Sequence, residues 1–366
     1  MIDKRKQQNI FAKAIVIGFK KHARSYIIEN NMKLVIYGTQ KRLGALQEDG
    51  SVVDLNYAYA AYLTGKGEVR PYTKADAKVP SCLLAFIEEG EEGLKEAKKA
   101  VSYTKKNKFG VKGEKLVQEG KKLHAPLASL SSRIIMAGAN FYDHSADASK
   151  MFGRPTTVDD IKKQVEAGTY TAWGFWKQTR NVVGPDAEVT YPTRTQRLDY
   201  EVEVGAVIGK QGKDIQEADG EGYIYGFTIV NDLSTRDGGG QGGPDGIFFA
   251  KNFDGCAPMG PCIVTKDEIE DVYKLKLVQK VNGKIRQNGS MSSIIRKYPW
   301  WIQWITRDMS LYPGDVICGG TCSGTAMDTT PRIDGKTAPD KFLKPGDVLE
   351  AIVEPMGTLK TTIVKK

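Results

Sequence analysis

Acidic and apolar residues alternate through YEVEVGAVI, residues 200–208. The two-residue period of a strand puts Glu201 and Glu203 side by side on one face. Two carboxylates so placed repel each other unless water or a cation lies between them. Ligation by oxygen alone favours a hard ion such as Mg²⁺, Ca²⁺ or Mn²⁺. Taken alone, the same spacing also describes a solvated strand face. A second run, residues 225–230, is apolar throughout and stops at Asn231 and Asp232, so Asp232 is either a turn former or a third carboxylate at a strand end. Arg236 and Asp237 follow in the same loop, and an arginine beside a metal is suited to gripping a carboxylate. Of His22, His124 and His144, only His144 lies among loop-forming residues after a strand, in MAGANFYDHSAD. It is the candidate base, although a lone histidine is more often structural. Asp147, three residues on, reaches the imidazole if the segment is helical and would then orient it.

These residues need a mostly β scaffold, and the patterning supplies one. KLVIYG, RLGALQ and SVVDLN predict a small antiparallel meander from Met32 to about Leu55. Helical spacing follows at Leu83–Ile87 and through Leu94, Ala97 and Val101, ending near Gly110, with a linker to Leu127. After Arg133 strand-like runs dominate, among them RIIMAG, IYGFTIVND, KLKLVQKVNG, DVICGGT and DVLEAIVE. One helix is expected there, with Thr157 as N-cap, Asp159 and Asp160 in its first turn and Gly168 as its stop, placed like a lid. Trp300, Trp301 and Trp304 at near-helical spacing read as core. The fold class is α+β, mostly β, in three parts: a basic extension (1–31), a smaller N-terminal β-rich module with a helical linker (32–127) and a catalytic domain (128–366).

Composition excludes several classes. The net charge is +9, yet the first 31 residues hold seven Lys and Arg against two acids, so the body is only mildly basic and nucleic acid is not an expected partner. Met32 opens a stretch, MKLVIYG, that reads as a chain start. The apolar runs are too short for a membrane span. Five cysteines without a CxxC pair argue against a disulfide framework or thiolate zinc and fit a reducing cytoplasm. Gly238, Gly240 and Gly243 match GxGxxG but lead into Pro244 rather than a helix, so no dinucleotide site is expected. No Walker A, HExxH or GxSxG motif occurs.

The ordered set NFYDHSAD, LDYEVEVGAVIG, YGFTIVNDLSTRD, AKNFDGCAPMGP, VNGKIRQNG, LYPGDVICGGTCSG and LKPGDVLEAIV resembles the fumarylacetoacetate hydrolase family from Arg133 to the C-terminus. The resemblance implies a mixed β-roll catalytic domain, a homodimer, and a divalent cation, Mg²⁺ before Mn²⁺ or Ca²⁺, on Glu201, Glu203 and Asp232. It implies that Lys251 lies near the metal, that Thr321 binds the carboxylate or oxo group of the substrate, and that His144 activates water. Three positions depart from the family pattern. Asp147 stands in place of a usual glutamate, Gly239 in place of a glutamine, and Ala137 where members with four metal carboxylates carry an acid. The implied reaction is hydrolysis of a C–C bond in a 2,4-dioxo acid, acylpyruvate-like, through a metal-stabilised enolate. The alternatives are a decarboxylase, dehydratase or isomerase of a 2-oxo acid on the same site and, from another class, a non-catalytic anion-binding protein using the basic extension.

Overall fold

A computed structural model of the chain describes residues 32–151, 155–237, 246–330, 332–333, 336–337 and 341–366. The basic extension 1–31 and the glycines at 238, 239, 240 and 243 lie outside the described residues.

The expected meander forms: β1 (Lys33–Tyr37), β2 (Arg42–Leu46) and β3 (Val52–Asp54) pair antiparallel in sequence order. Asp54 then caps α1 (Leu55–Gly65), accepting from the Tyr57 amide at 2.9 Å while paired with Arg42 at 2.6 Å. This alanine-rich helix and the next, Pro71–Lys78, lie in a stretch without an obvious amphipathic stripe. The two helices read from spacing follow at Leu83–Glu88 and α2 (Gly90–Thr104).

The main sheet is completed by β4 (Ile134–Gly138), which leads into α3 (Tyr142–Met151) and α4 (Val158–Glu166), and then by β5 (Trp173–Lys177), β6 (Val202–Ile208), β7 (Ile224–Asn231) and β8 (Ala257–Thr265). A second sheet uses β9 (Lys276–Val281) and β10 (Lys284–Ser290). The chain then passes through α5 (Tyr298–Thr306), returns to the first sheet as β11 (Val316–Thr321), and closes the second with β12 (Val348–Val353) and β13 (Gly357–Val364). Along the first sheet the order is β3-β2-β1-β8-β7-β6-β11-β4-β5, so β1 to β3 extend the sheet that carries the carboxylates. In the second the order is β10-β9-β12-β13 followed by Ala187–Thr190.

The alternation of β6 explains the layering. Val202, Val204, Ala206 and Ile208 enter one core with Leu277, Ala351, Val353 and Leu359 of the second sheet. The opposite face carries Glu201, Glu203 and Val207, and Val207 joins a second core with Val230, Cys318 and helical residues such as Ala58 and Ala97. Each fully buried Val or Leu contributes about 1.5–3 kcal/mol, so the register of β6 is strongly held and the two glutamates cannot turn to the other face. Helix α4 carries the expected cap, a reciprocal Thr157–Asp160 capping box, and Gly168 follows at φ +69°. In α5, Trp301 is fully buried as expected, whereas Trp304 is 38% exposed. Among the described residues no helix is long and apolar enough to cross a membrane.

Candidate active site

Glu201 precedes β6 and Glu203 lies within it, while Asp232 follows β7. The Asp232 amide donates to the Glu201 carbonyl at 2.8 Å, so one more rung of the β6–β7 ladder sets the third carboxylate beside the first. All three are buried, and one oxygen of each lies within 4.8 Å of the others. Across the other edge of β6, the β11 ladder slips register opposite Glu203–Gly205, and Gly320 takes φ +90°. Its amide donates to Glu203 Oε2 at 2.9 Å.

Lysines and an arginine answer this charge unevenly. Lys251 Nζ donates to Glu201 Oε2 and Asp232 Oδ2, both at 2.8 Å, and lies 5.0 Å from the Phe175 ring centroid. Arg236 donates through Nη2 to Glu201 and through Nε to Asp199 Oδ2 at 3.1 Å. Lys177 Nζ sits 2.8 Å from Asp232 Oδ1 and donates to the carbonyls of Leu233, Lys251 and Cys256. Burial would raise the Glu201 carboxyl, but Lys251, then Arg236 and His144, hold it well below its usual range. Glu203 is pushed the other way, well above that range, by burial and by the neighbouring Asp232 and Glu201 charges. Burial first, and like charge second, thus disfavour an ionised Glu203. Oxygen-only donors at this separation fit a hard divalent cation, which Glu201, Glu203 and Asp232 would hold.

On the other side of the site, α3 carries His144, which is buried. Its Nδ1 bonds Asp328 Oδ2 at 2.8 Å. Burial opposes the imidazolium, but Asp328 and then Glu201 outweigh it and raise the ring pKa to about 9. Asp147, the partner expected from sequence, is three residues along the same helix, yet its oxygens accept from Lys150 Nζ at 2.7 Å and from the Ser323 hydroxyl. The carboxylate that orients His144 is therefore Asp328, which lies 184 residues away in the chain. Two other residues expected to contact substrate also have partners within the fold. The Nε and Nη2 atoms of Arg236, expected to grip substrate, face Asp199 and Glu201. The Thr321 hydroxyl donates its proton to the Val202 carbonyl at 2.8 Å and accepts from Gln287 at 2.8 Å, so its proton and one lone pair are engaged within the fold. Ala137, at the position of a fourth metal acid, is a buried residue of β4.

The residues from β4 to β13 that build this site coincide with a family model. Residues 133–364 match the fumarylacetoacetate hydrolase C-terminal domain. The chain belongs to the fumarylacetoacetate hydrolase family. Within the family it is similar to the oxaloacetate tautomerase YisK of Bacillus subtilis, 32% identical over 285 residues that span 78% of this chain and 87% of the relative. Among solved structures it resembles a fumarylacetoacetate hydrolase from Exiguobacterium antarcticum (TM-score 0.65, 25% identity, 92% of this chain and 100% of that one). It also resembles a 5-carboxymethyl-2-hydroxymuconate delta-isomerase from Mycobacterium smegmatis (TM-score 0.53, 28% identity, 67% of this chain and 83% of that one). The family thus spans hydrolase and isomerase names on one fold.

Three residues of this candidate site were not singled out from sequence: Asp199, Lys177 and Asp328. Two of them left a signal. Asp199, Glu201 and Glu203 recur at every second position of the sequence, and Lys177 shares with Phe175 the inward face of β5. Asp328 left none, because its meeting with His144 depends on the loop after β11.

Proposed function

We propose that this chain is a divalent-cation-dependent tautomerase that interconverts the keto and enol forms of a 2-oxo dicarboxylic acid of the oxaloacetate class. One observation carries the reading. Two proton-bearing groups, Lys251 and His144, flank three buried carboxylates fit for a hard cation, which is the set of groups keto–enol exchange needs. Keto–enol exchange requires one proton moved at C3 and one at the 2-oxo oxygen, with no carbon–carbon bond cut and no water consumed. The similarity to the B. subtilis tautomerase supports the same choice.

A divalent cation supplies Lewis-acid polarisation of the 2-oxo oxygen when bound. Lys251 Nζ spends two of its three protons on Glu201 and Asp232, and the third would pass to the 2-oxo oxygen as the enol forms and return as it is lost. In the enol-to-keto direction the His144 imidazolium gives the C3 proton from Nε2, the ring nitrogen not turned to Asp328, and in the reverse direction the neutral ring takes it back; Asp328 holds the opposite nitrogen so that the ring keeps one orientation. Burial of these groups keeps bulk water from competing for the protons.

The test follows ultraviolet absorbance of enol-oxaloacetate with Mg²⁺ or Mn²⁺ and runs acylpyruvates in parallel. Enzyme-accelerated enol loss without release of CO₂ or of an acyl acid is the expected result. Stoichiometric acid release from an acylpyruvate, with enol loss at the uncatalysed rate, would overturn the proposal in favour of hydrolysis.

A further inference from the structure

Asp199 touches neither the carboxylate triad nor the imidazole, yet it contacts what holds each of them. It is fully buried at the end of the two-residue strand Leu198–Asp199, which pairs with Ser234–Thr235. Through Oδ2 it accepts from Arg236 Nε at 3.1 Å, and the same guanidinium donates through Nη2 to Glu201. Through Oδ1 it accepts from the Ala326 amide at 2.7 Å, and through Oδ2 from the Met327 amide at 3.2 Å. Those two amides open the short turn of helix Ala326–Thr329, whose Asp328 bonds His144. Asp328 Oδ2 also accepts from the amides of Gly324 and Thr325, both at 3.2 Å, so the 324–328 loop is drawn around the Asp328 carboxylate and anchored to Asp199 through its 326 and 327 amides. One side chain thus anchors two arms, a guanidinium leading to a cation ligand and a loop leading to the base.

We infer that Asp199 is a positioning residue that couples the two halves of the site. By holding Arg236 against Glu201 and the 324–328 loop against the strand, it sets the placement of His144 relative to the triad. A buried carboxylate with four donors, the fourth being the Tyr200 amide at 2.9 Å, is held in a single orientation. Neither arm keeps its geometry without it. The turnover readout rests on the tautomerase reading, whereas the two ligand-free readouts below do not, so failure of one is distinguishable from failure of the other.

The chain has three histidines, His22, His124 and His144, so an imidazole nitrogen–proton correlation spectrum of the ¹⁵N-histidine-labelled full chain resolves His144. Its Nδ1–H, bonded to Asp328, gives a protected downfield proton. Near-isosteric Asp199→Asn is expected to shift or broaden that signal while the His124 signal stays. It is also expected to weaken Mn²⁺ binding, measured by calorimetry, by about 10- to 100-fold, the usual range for loss of a partner behind a metal ligand, and to lower kcat more than it changes KM. Asp328→Asn should lose the imidazole signal but keep Mn²⁺ affinity within about threefold, because it cuts only one arm. If Asp199→Asn does not fold, Asp199→Glu serves. It keeps a charge facing Arg236 but cannot keep both oxygens on the 326–327 amides, so Mn²⁺ affinity should hold while the His144 signal changes. An unmoved His144 signal together with unchanged Mn²⁺ affinity in a folded Asp199 variant overturns the inference. Loss of both in Asp328→Asn overturns it as well, since the arms would then not be separate.

Discussion

The two halves of the site are built in different ways. Glu201, Glu203 and Asp232 stand on or next to neighbouring ladder strands, with backbone bonds such as Asp232 amide to Glu201 carbonyl setting their spacing. His144 stands on α3, and its orientation depends on one side-chain bond to a loop. A carboxylate on a ladder inherits the register of every rung around it, so its position is over-determined. A ring steered by a loop is set by a few hydrogen bonds, each open to disruption by one substitution. The triad is therefore the robust half and the histidine the tunable half.

The largest effect expected is loss of the triad. Glu201→Ala or Asp232→Ala, or chelation of divalent cations in the native protein, should lower turnover at least about 100-fold, and in the chelated protein added Mg²⁺ or Mn²⁺ should restore it. Full turnover of either variant at low free metal, checked by an assay with a metal buffer, would remove the triad from the mechanism. Next, His144→Ala should lower kcat about 10²- to 10⁴-fold while calorimetric Mn²⁺ affinity stays within a few-fold, which is the separation of halves in its sharpest form.

A pH series probes the tunable half in the metal-free protein. The ring pKa is raised from 6.5 to about 9, so the stability it contributes is complete below 6.5 and is lost as pH rises through 9. The loss is at most roughly 3 kcal/mol. Urea melts between pH 6 and 10 should show this slope in the wild type and a flatter one in Asp328→Asn. Equal slopes would mean that Asp328 does not carry the effect.

Smallest is Asp147→Asn. Asp147 is partly exposed and bonded to Lys150 and Ser323, so kcat should fall less than about fivefold, against about 10- to 100-fold for Asp328→Asn. A reversed order in the same rate assay would restore Asp147 as the partner of the ring.

Much of the fold is legible in the residues. The meander of β1 to β3, the capped helix α4 and the strands after Arg133 follow from alternation, caps and glycine stops, each a signal within a few residues. Helix α1 is less legible because LNYAYAAYLTG is apolar on nearly all sides and has no clear period. In the site, Asp147 and Asp328 compete for one imidazole. Sequence spacing favours the near residue, whereas the fold brings the distant one to 2.8 Å.

The sequence by itself determined that Glu201 and Glu203 share a face, that Asp232 closes an apolar strand and that His144 lies just after another, because a strand repeats every two residues whatever surrounds it. Only the tertiary structure decided which charges meet. Lys251 and Arg236 reach Glu201 from 50 and 35 residues away, Asp328 reaches His144 from 184, and Thr321 turns its hydroxyl to Val202 across 119. Such pairings are set by which buried polar groups need partners once the sheets have closed, and local spacing does not encode that need.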